Sequence, residues 1–499
     1  MHVPNRRSTP IDGVLMTEPL LVDDPEVALD GSTLTVGRVA GLAGAPIVVL
    51  PTVRALELTL QSWETAVGIA ARQPVYGRTT GVGGNRDTSV ADGAEQDLRL
   101  LRSHATGSGP ALPDHIVRAA MIIRINQILN GGSGMHPDIV GALVDSVASS
   151  QLPIVHARGA IGTGDLSAFS EIALGLMGES VRSDGSVHTA WAPHQGDALP
   201  LISTNAMTVA IASNTAVDVA DWLRHCLVVS VLSTIATRSS SEPFAAQVQS
   251  ARKHPGQEEV AARIRELLAP HIVVAARVQD SFGFRALPQI LGATWQALQR
   301  LNVTLSVEMN SSSENPLVSV EDDKVFHNGN FHGMPIALAI DEAKLALASA
   351  ALLSQCRLAN LSDPSVTGLR AFLADGPAGS SGTMLLEYTT SAAIAEIRSS
   401  AAPGSLGHTV ISRGTEDHAS FASQAATQLT DILVQSRLVL ACELISAIRA
   451  LRQQNRVLDP VTELGAYVLR AQSVLDARTE DRPLSADLAA AVTFLARTP

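Results

Sequence analysis

The chain has 499 residues, of which 46% are hydrophobic and only 3% aromatic. Its 36 Lys and Arg residues against 48 Asp and Glu residues give a net charge of -12, which excludes a surface that tracks nucleic-acid phosphates. The scarcity of aromatic residues indicates a core of Ala, Leu, Val and Ile, which favours closely packed helices. Composition therefore predicts a soluble, mainly α-helical protein.

Two further features predict where the protein works. The first 26 residues contain no continuous apolar stretch and no small-residue cleavage site, and the apolar runs stay short of about 18 residues, so neither a secretory signal nor a membrane span is expected. Cys226, Cys356 and Cys442 lie far apart in apolar segments and are expected to be buried, reduced thiols. We expect a cytoplasmic enzyme or scaffold.

In chain order, residues 1–26 are polar and proline-containing and predict a flexible N-terminal arm. Residues 27–200 predict a mixed N-terminal part, with the short β-like pieces "STLTV" and "PIVVL" and helical periodicity over 95–105, 114–129 and 136–150. Residues 201–460 predict a central bundle of long helices, over 220–237, 287–308, 334–362, 383–400 and 418–453. Residues 461–499 predict a C-terminal helical tail, in which a charged surface loop at 475–485 precedes a short final helix.

The polar segments between the helices carry the candidate chemistry. In "ARGAIGTGDLSAFSE", residues 157–171, Gly159, Gly162 and Gly164 surround Thr163 and predict a bent backbone with the threonine at the tip of a turn. The segment after Asp165 predicts a helix. A turn of this kind projects the Thr163 side chain away from the flanking backbone.

Two other segments contain residues suited to acid–base and carboxylate chemistry. In "VYGRTTGVGGN" Tyr76 is either a general base or part of a flexible loop; as a base it needs nearby donors or positive charge, because a phenol has a pKa of about 10. In "VQDSFGFRALPQ" Arg285 either grips a substrate carboxylate through its planar guanidinium or forms a surface ion pair.

Three more candidates each have a structural alternative. His104 follows a helix and either binds substrate or caps that helix. Glu416 precedes a predicted helix, where an acid also stabilises the positive helix end. Phe331 in "GNFHG" is either a pocket residue or a packing residue. The sequence contains no HExxH, CxxC pair or GxSxG, so no metal site and no α/β-hydrolase are expected.

Taken in order, these segments resemble the histidine and aromatic amino acid ammonia-lyase family, which includes related aminomutases. The resemblance extends over nearly the whole chain from about residue 27 and is carried by "PVYGRTTGVG", "LLRSHATGSG", "ARGAIGTGDLSAFSEIALGLMGE", "RKHPGQ", "VQDSFGFRALPQ", "SENPL", "GNFHG" and "TEDH". It implies an ammonia-lyase-like fold, a small amino-acid substrate and a homotetramer whose active sites are shared between subunits.

The resemblance also implies a prosthetic group. In that family an Ala-Ser-Gly sequence cyclises and loses two waters to form a methylidene-imidazolone (MIO), an electrophile that no ordinary side chain supplies. Here the run between the arginine-glycine and the glycine-aspartate is one residue shorter, and Gly162-Thr163-Gly164 falls in that place. If this triplet cyclises and dehydrates, Thr163 yields an ethylidene group; if it does not, there is no prosthetic group.

Two further positions depart from the family pattern. Ser203 falls where the family has an asparagine beside the prosthetic group, and Phe282 falls where it has a tyrosine. Other positions match. By resemblance Tyr76 is the catalytic base, Arg285 is the carboxylate clamp, His104 is the histidine of members acting on histidine or tyrosine, and the remaining pocket residues are Asn315, Phe331 and Glu416.

Three hypotheses remain open from sequence. The first is an ammonia-lyase or aminomutase with a prosthetic group made from Gly162-Thr163-Gly164. The second is an enzyme of the same fold that works without that group, by elimination, addition or cyclisation on a substrate carrying its own activated group. The third is a catalytically silent homologue that binds a ligand or partner. Tyr76 and Arg285 favour the first two, whereas the altered positions favour the second.

Overall fold

The computed structural model describes residues 26–90, 93–149 and 151–497. Within these ranges the chain forms helices joined by loops and three two-stranded sheets, so the predicted mainly α fold is confirmed. The N-terminal helices are α1 (Val36–Ala43), α2 (Val53–Ala70), α3 (Gly93–His104), α4 (Asp114–Leu129), α5 (Asp138–Ala148), α6 (Leu166–Met177) and α7 (Ala198–Ile202). The strands are β1 (Glu26–Leu29), β2 (Val48–Pro51), β3 (Ser108–Ala111), β4 (His156–Arg158), β5 (Leu317–Ser319) and β6 (Lys324–Phe326).

The second half of the chain supplies the long helices. The remaining helices are α8 (Ala206–Thr237), α9 (Ala246–Ser250), α10 (Pro255–Leu268), α11 (Phe282–Arg285), α12 (Leu287–Met309), α13 (Met334–Ser362), α14 (Pro364–Thr367), α15 (Met384–Ser400), α16 (Ala422–Gln453), α17 (Glu463–Val474) and α18 (Ser485–Leu495). Helices α8, α12, α13, α15 and α16 pack against one another, with α4 and α10 on the flanks. This is the predicted bundle of long helices.

A buried ion pair lies inside this bundle. Arg357 on α13 donates to both oxygens of Glu443 on α16, at 2.7 and 2.8 Å, and both side chains are fully buried. Ser233 on α8 donates to the same carboxylate at 2.7 Å. Because every charged group here has a partner, the burial of the pair is tolerated, and the carboxylate joins three long helices.

The segment Ala198–Thr237 is long and apolar enough by composition to cross a membrane, yet 83% of its most apolar window is buried inside the fold. Burial of this extent is typical of a core helix in a globular protein. The apolar character of α8 is therefore explained by its place in the centre of the bundle.

Two local predictions are wrong. "STLTV" forms no strand, because Thr35 is the N-cap of α1 and its side chain accepts the Arg38 N–H. Cys356 is exposed, unlike Cys226 and Cys442, because α13 is apolar on its outer side as well, where Leu345 is also exposed. An alanine-rich helix therefore does not reveal its buried face through composition alone.

The predicted domain division stays a prediction. Except for Glu26, which begins β1, the N-terminal arm lies outside the described residues. The division at residue 200 falls within α7, and the division at residue 460 falls in the loop between α16 and α17.

Candidate active site

One segment, residues 411–424, connects the two predicted catalytic loops. It consists of a short irregular stretch before α16 and the first residues of that helix. Its N-terminal half contacts the loop that carries Tyr76, and its C-terminal half contacts the glycine turn at 159–164. We call it the linking segment.

The Tyr76 loop is fixed by hydrogen bonds to itself and to the linking segment. The Gly83 N–H donates to the Tyr76 hydroxyl oxygen at 2.7 Å, and the Gly84 N–H donates to Ser412 Oγ at 2.8 Å. The Arg86 guanidinium donates to the Thr415 hydroxyl. The phenol oxygen therefore already accepts one backbone N–H, which favours its ionised form.

Glu416 lies beside this phenol. A Cβ placed on Gly83, which has a φ of 54°, would lie 3.4 Å from Glu416 Oε1. Burial is the main cause that raises the pKa of Tyr76 above its ordinary value, and the charge of Glu416 raises it further, whereas the Gly83 N–H and Arg86 lower it. Within one chain the net effect keeps Tyr76 protonated near neutral pH.

The predicted position of Glu416 at a helix start is wrong. Helix α16 begins at Ala422, after Phe421 has adopted a left-handed conformation with a φ of 54°. Glu416 instead pairs with Ile411 in an isolated antiparallel bridge, with the Ile411 N–H donating to the Glu416 carbonyl at 2.8 Å. Its carboxylate therefore does not cap a helix and is free to face the Tyr76 loop.

The glycine turn is as bent as its sequence predicts. Gly162 and Gly164 have φ values of 79° and 101°, in the region that favours glycine, and α6 begins immediately after Asp165. A Cβ on Gly162 would lie 2.1 Å from Ser420 Oγ and 2.6 Å from the Ala422 nitrogen. An alanine at this position would therefore clash with Ser420 and with the backbone of Ala422 as they lie in this structure.

The carbonyl of Gly162 accepts two hydrogen bonds. The Gly333 N–H donates to it at 3.0 Å, and the buried hydroxyl of Ser420 donates to it at 2.7 Å. Among the described residues, the Gly164 nitrogen donates to no acceptor. Two donors on one carbonyl oxygen stabilise negative charge that develops there when a nucleophile attacks the carbonyl carbon.

The rest of the turn is also fixed by hydrogen bonds. The Phe421 N–H donates to the Ile161 carbonyl at 2.8 Å, and the Gln424 amide donates to the Ala160 carbonyl at 2.7 Å. Asp165 accepts the backbone N–H and the hydroxyl of Thr208, both at 2.8 Å. Burial raises the pKa of Asp165 to about 6, against the opposing effect of these hydrogen bonds.

The segment 201–208, in which Ser203 falls where the resemblance implies an asparagine, contains a residue that the sequence did not single out. Ser203 is buried at the end of α7, but Asn205, two residues later, donates its amide to the Phe331 carbonyl at 2.8 Å. Its side-chain oxygen is buried and has no partner among the described residues. The signal was present as the asparagine in "LISTNAMT", displaced from the family position.

Asn315 and Phe331 belong to one continuous segment around the β5–β6 hairpin. The Asn315 side chain accepts the Asn328 N–H at 2.9 Å, which orders the turn that leads to Phe331. The Tyr76 N–H donates to His327 Nε2 at 3.3 Å, so the same hairpin also contacts the Tyr76 loop. Asn315, Phe331, Tyr76, Glu416 and the glycine turn are thus linked within one chain.

Two candidates, His104 and Arg285, do not join this group. His104 ends α3 and hydrogen-bonds the Leu100 carbonyl through Nδ1 at 2.9 Å. The Arg285 guanidinium lies 4.1 Å from the ring centre of Phe282, itself 66% exposed, and donates to Gln279 when that amide oxygen faces it. Among the described residues, no hydrogen bond connects His104 or Arg285 with the Tyr76 loop or the glycine turn.

A cleft of 460 Å³ runs along one side of the glycine turn. It is lined by residues 157–160, by Asp165 and by residues of α6, α8 and α16 that include Met207 and Gln424. Its volume falls in the range of small-molecule sites. The cleft reaches residues 157–160 and Asp165, which flank Gly162-Thr163-Gly164 on either side.

Sequence comparison gives one family and several close relatives. The family model for aromatic amino acid lyases matches residues 34–473. The histidine ammonia-lyase of Geobacillus sp. (strain WCH70) is 31% identical over 491 residues, which cover 94% of this chain and 96% of that protein. The histidine ammonia-lyase of Deinococcus radiodurans is 33% identical over 437 residues, which cover 83% of each chain.

Solved structures give the same fold with different chemistry. Tyrosine aminomutase from Streptomyces globisporus has a TM-score of 0.88 at 26% identity, covering 95% of this chain and 97% of that one. The ergothioneine-degrading ergothionase from Treponema denticola has a TM-score of 0.88 at 25% identity, covering 94% and 98%. The predicted fold is confirmed, and the range of relatives leaves the substrate open.

Proposed function

Because the chain belongs to the aromatic amino acid lyase family, whose relatives named above include ammonia-lyases and an aminomutase, we propose that it eliminates or moves the amino group of an α-amino acid. Its electrophile is an imidazolone-type group made from Gly162-Thr163-Gly164. The observation that carries this proposal is the Gly162 carbonyl, whose oxygen accepts the Ser420 hydroxyl and the Gly333 N–H.

The residues of the turn fit the formation of this group. Cyclisation joins the Gly164 nitrogen to the Gly162 carbonyl carbon, and the carbonyl oxygen leaves as water with the amide hydrogens of Thr163 and Gly164. A second water takes the Thr163 hydroxyl and its Cα hydrogen. The reaction needs a polarised carbonyl, a nitrogen free of acceptors and bent glycines on either side, and the turn provides all three.

When formed, the group supplies an electrophile that makes the amino group a better leaving group. The chain's own residues do the remaining work. We assign to Tyr76 the removal of the weakly acidic hydrogen from the carbon next to the amino-bearing carbon. Glu416, beside the phenol, receives or returns a proton, while Asn315 and Phe331 orient the substrate.

Arg285 and His104 complete the site from other subunits in this proposal. Their separation from the Tyr76 loop within one chain is what a shared site requires. Among the described residues, the partners of Arg285 are a neutral amide and an aromatic ring, so its charge stays available for a substrate carboxylate. We therefore propose a homotetramer with composite active sites, working in the cytoplasm.

A second candidate function has its own support. An enzyme of the same fold that lacks the prosthetic group is favoured by the shortened turn, by Ser203 in place of asparagine and by the exposed Phe282 in place of tyrosine. Such an enzyme acts on a substrate that carries its own activated group. It retains Tyr76 as base and Arg285 as carboxylate clamp.

The direct test is a screen of α-amino acids for ammonia release and for formation of β-amino acids. We expect the wild-type protein to convert at least one of them. The substitution Arg285→Lys keeps the charge but removes the planar guanidinium that donates two hydrogen bonds to a carboxylate. We therefore expect KM to rise by about tenfold or more, with a smaller change in kcat. A protein that converts no α-amino acid under any condition contradicts the proposal.

A further inference from the structure

Outside the proposed active site, three metal-ligating side chains converge near the N-terminus of α5. His136 Nδ1 and His194 Nε2 lie 3.2 and 2.9 Å from the same Asp138 oxygen. The donor atoms of all three residues lie within 4.8 Å of one another. The side chains of His136, Asp138 and His194 are 19%, 61% and 39% exposed, so solvent and ions reach the cluster.

The two histidines are held together from behind. The buried Asp197 carboxylate accepts the His136 N–H on one oxygen at 3.1 Å and the His194 N–H on the other at 3.0 Å. The two imidazoles stack with ring centres 3.8 Å apart, and the edge of Trp63 packs on His136 at 4.7 Å. One carboxylate therefore fixes the backbones of both histidines before any ion arrives.

From this geometry we infer that His136, Asp138 and His194 form a binding site for a divalent transition-metal ion of the zinc class, with solvent completing the coordination. Two imidazole nitrogens and one carboxylate oxygen form a donor set that binds Zn²⁺ in preference to Mg²⁺ or Ca²⁺. The 2.9 and 3.2 Å separations are close to the edges of a tetrahedral zinc site with bonds of about 2.0–2.1 Å.

Ion binding requires a small rearrangement. Stacked imidazoles do not direct both lone pairs at one point, so the rings must splay toward the exposed side when they share an ion. Trp63 packs on His136 and lies 6.1 Å from the His194 ring, so it reports this movement.

The site connects two segments that also support the Tyr76 loop. Arg78, two residues after Tyr76, donates to the Gly134 carbonyl at 2.6 Å and to the Gln195 carbonyl at 2.9 Å. These carbonyls belong to the segments that carry His136 and His194. A bound ion therefore acts as a structural clip that holds both segments around Arg78.

The test is calorimetric titration of the chelator-treated, full-length protein with Zn²⁺ alone. We expect one ion per chain at this site, with affinity more than about tenfold weaker in Asp138→Asn and His194→Ala. His188→Ala is the matched control. His188 is an exposed histidine six residues before His194, and it is not part of the cluster. We also expect Zn²⁺ to change the Trp63 fluorescence and to raise Tm in the wild type but not in Asp138→Asn.

Two results would overturn the inference. One is the absence of Zn²⁺ binding to the wild-type protein. The other is binding that is equally strong in wild type, Asp138→Asn and His194→Ala, because the ion then occupies a different site. Asp138→Asn preserves shape and removes only charge, so its folding can be verified by its melting curve. None of these measurements depends on the proposed enzymatic reaction.

Discussion

Replacing Tyr76→Phe is expected to reduce kcat by about 10²- to 10⁴-fold, the usual contribution of a general base. The substitution removes one oxygen atom and leaves the ring in place, so the fold should persist. The lost oxygen is the acceptor of the Gly83 N–H, which lies next to Glu416. Steady-state kinetics on the best substrate from the amino-acid screen measures the effect.

The pH profile of the same reaction provides a second readout. Because burial and Glu416 raise the pKa of Tyr76, only a small fraction of the phenol is ionised near neutral pH. The rate should therefore rise about tenfold per pH unit on the alkaline side while Tyr76 remains mostly protonated.

The matched control for Tyr76→Phe is Tyr388→Phe, since Tyr388 is 67% exposed on α15. A Tyr76→Phe variant with near wild-type kcat would rule out the base.

Replacing Ser420→Ala is expected to slow formation of the prosthetic group by about 100-fold, the usual cost of removing one oxyanion donor. Ser420 contacts the reacting carbonyl oxygen, and after its removal only the Gly333 N–H remains to stabilise the charge that develops there. The measurement is the mass of the proteolytic peptide spanning Arg158 to Glu171, followed over time after the protein is synthesised. The loss of two waters from this peptide marks formation of the group.

The control for this variant is Ser170→Ala. Ser170 is equally buried, lies on α6 just after the turn, and its hydroxyl has no partner among the described residues. We expect it to mature at the wild-type rate, so a delay confined to Ser420→Ala reports the hydrogen bond. Equal maturation of wild type and Ser420→Ala would show that the Gly333 N–H is sufficient.

The helices could be predicted because their signal is local. The apolar spacing over 334–362 matches α13, Met334–Ser362, and the glycine-marked turn before α6 was predicted from Gly162 and Gly164. Both depend on residues within a few positions of each other, where periodicity and backbone freedom act directly. The resemblance to the family added candidate pocket residues, and their roles stay a prediction.

The contacts that define the site could not be predicted in this way. The hydrogen bond from Ser420 to Gly162 connects residues 258 positions apart, and neither sequence motif indicates the other as its partner. Asn205 was missed because the family pattern directed attention to Ser203, whereas the fold uses the amide two residues later. Glu416 was misplaced because Phe421, in a left-handed conformation, delays the start of α16.

The central claim is that Gly162-Thr163-Gly164 becomes an electrophile, and the mass of the proteolytic peptide spanning Arg158 to Glu171 tests it most directly. We predict a wild-type peptide lighter than its sequence by two water molecules, one from cyclisation and one from Thr163. A peptide with its full mass would contradict the claim. It would leave Tyr76 and Arg285 as parts of an enzyme whose substrate carries its own activated group.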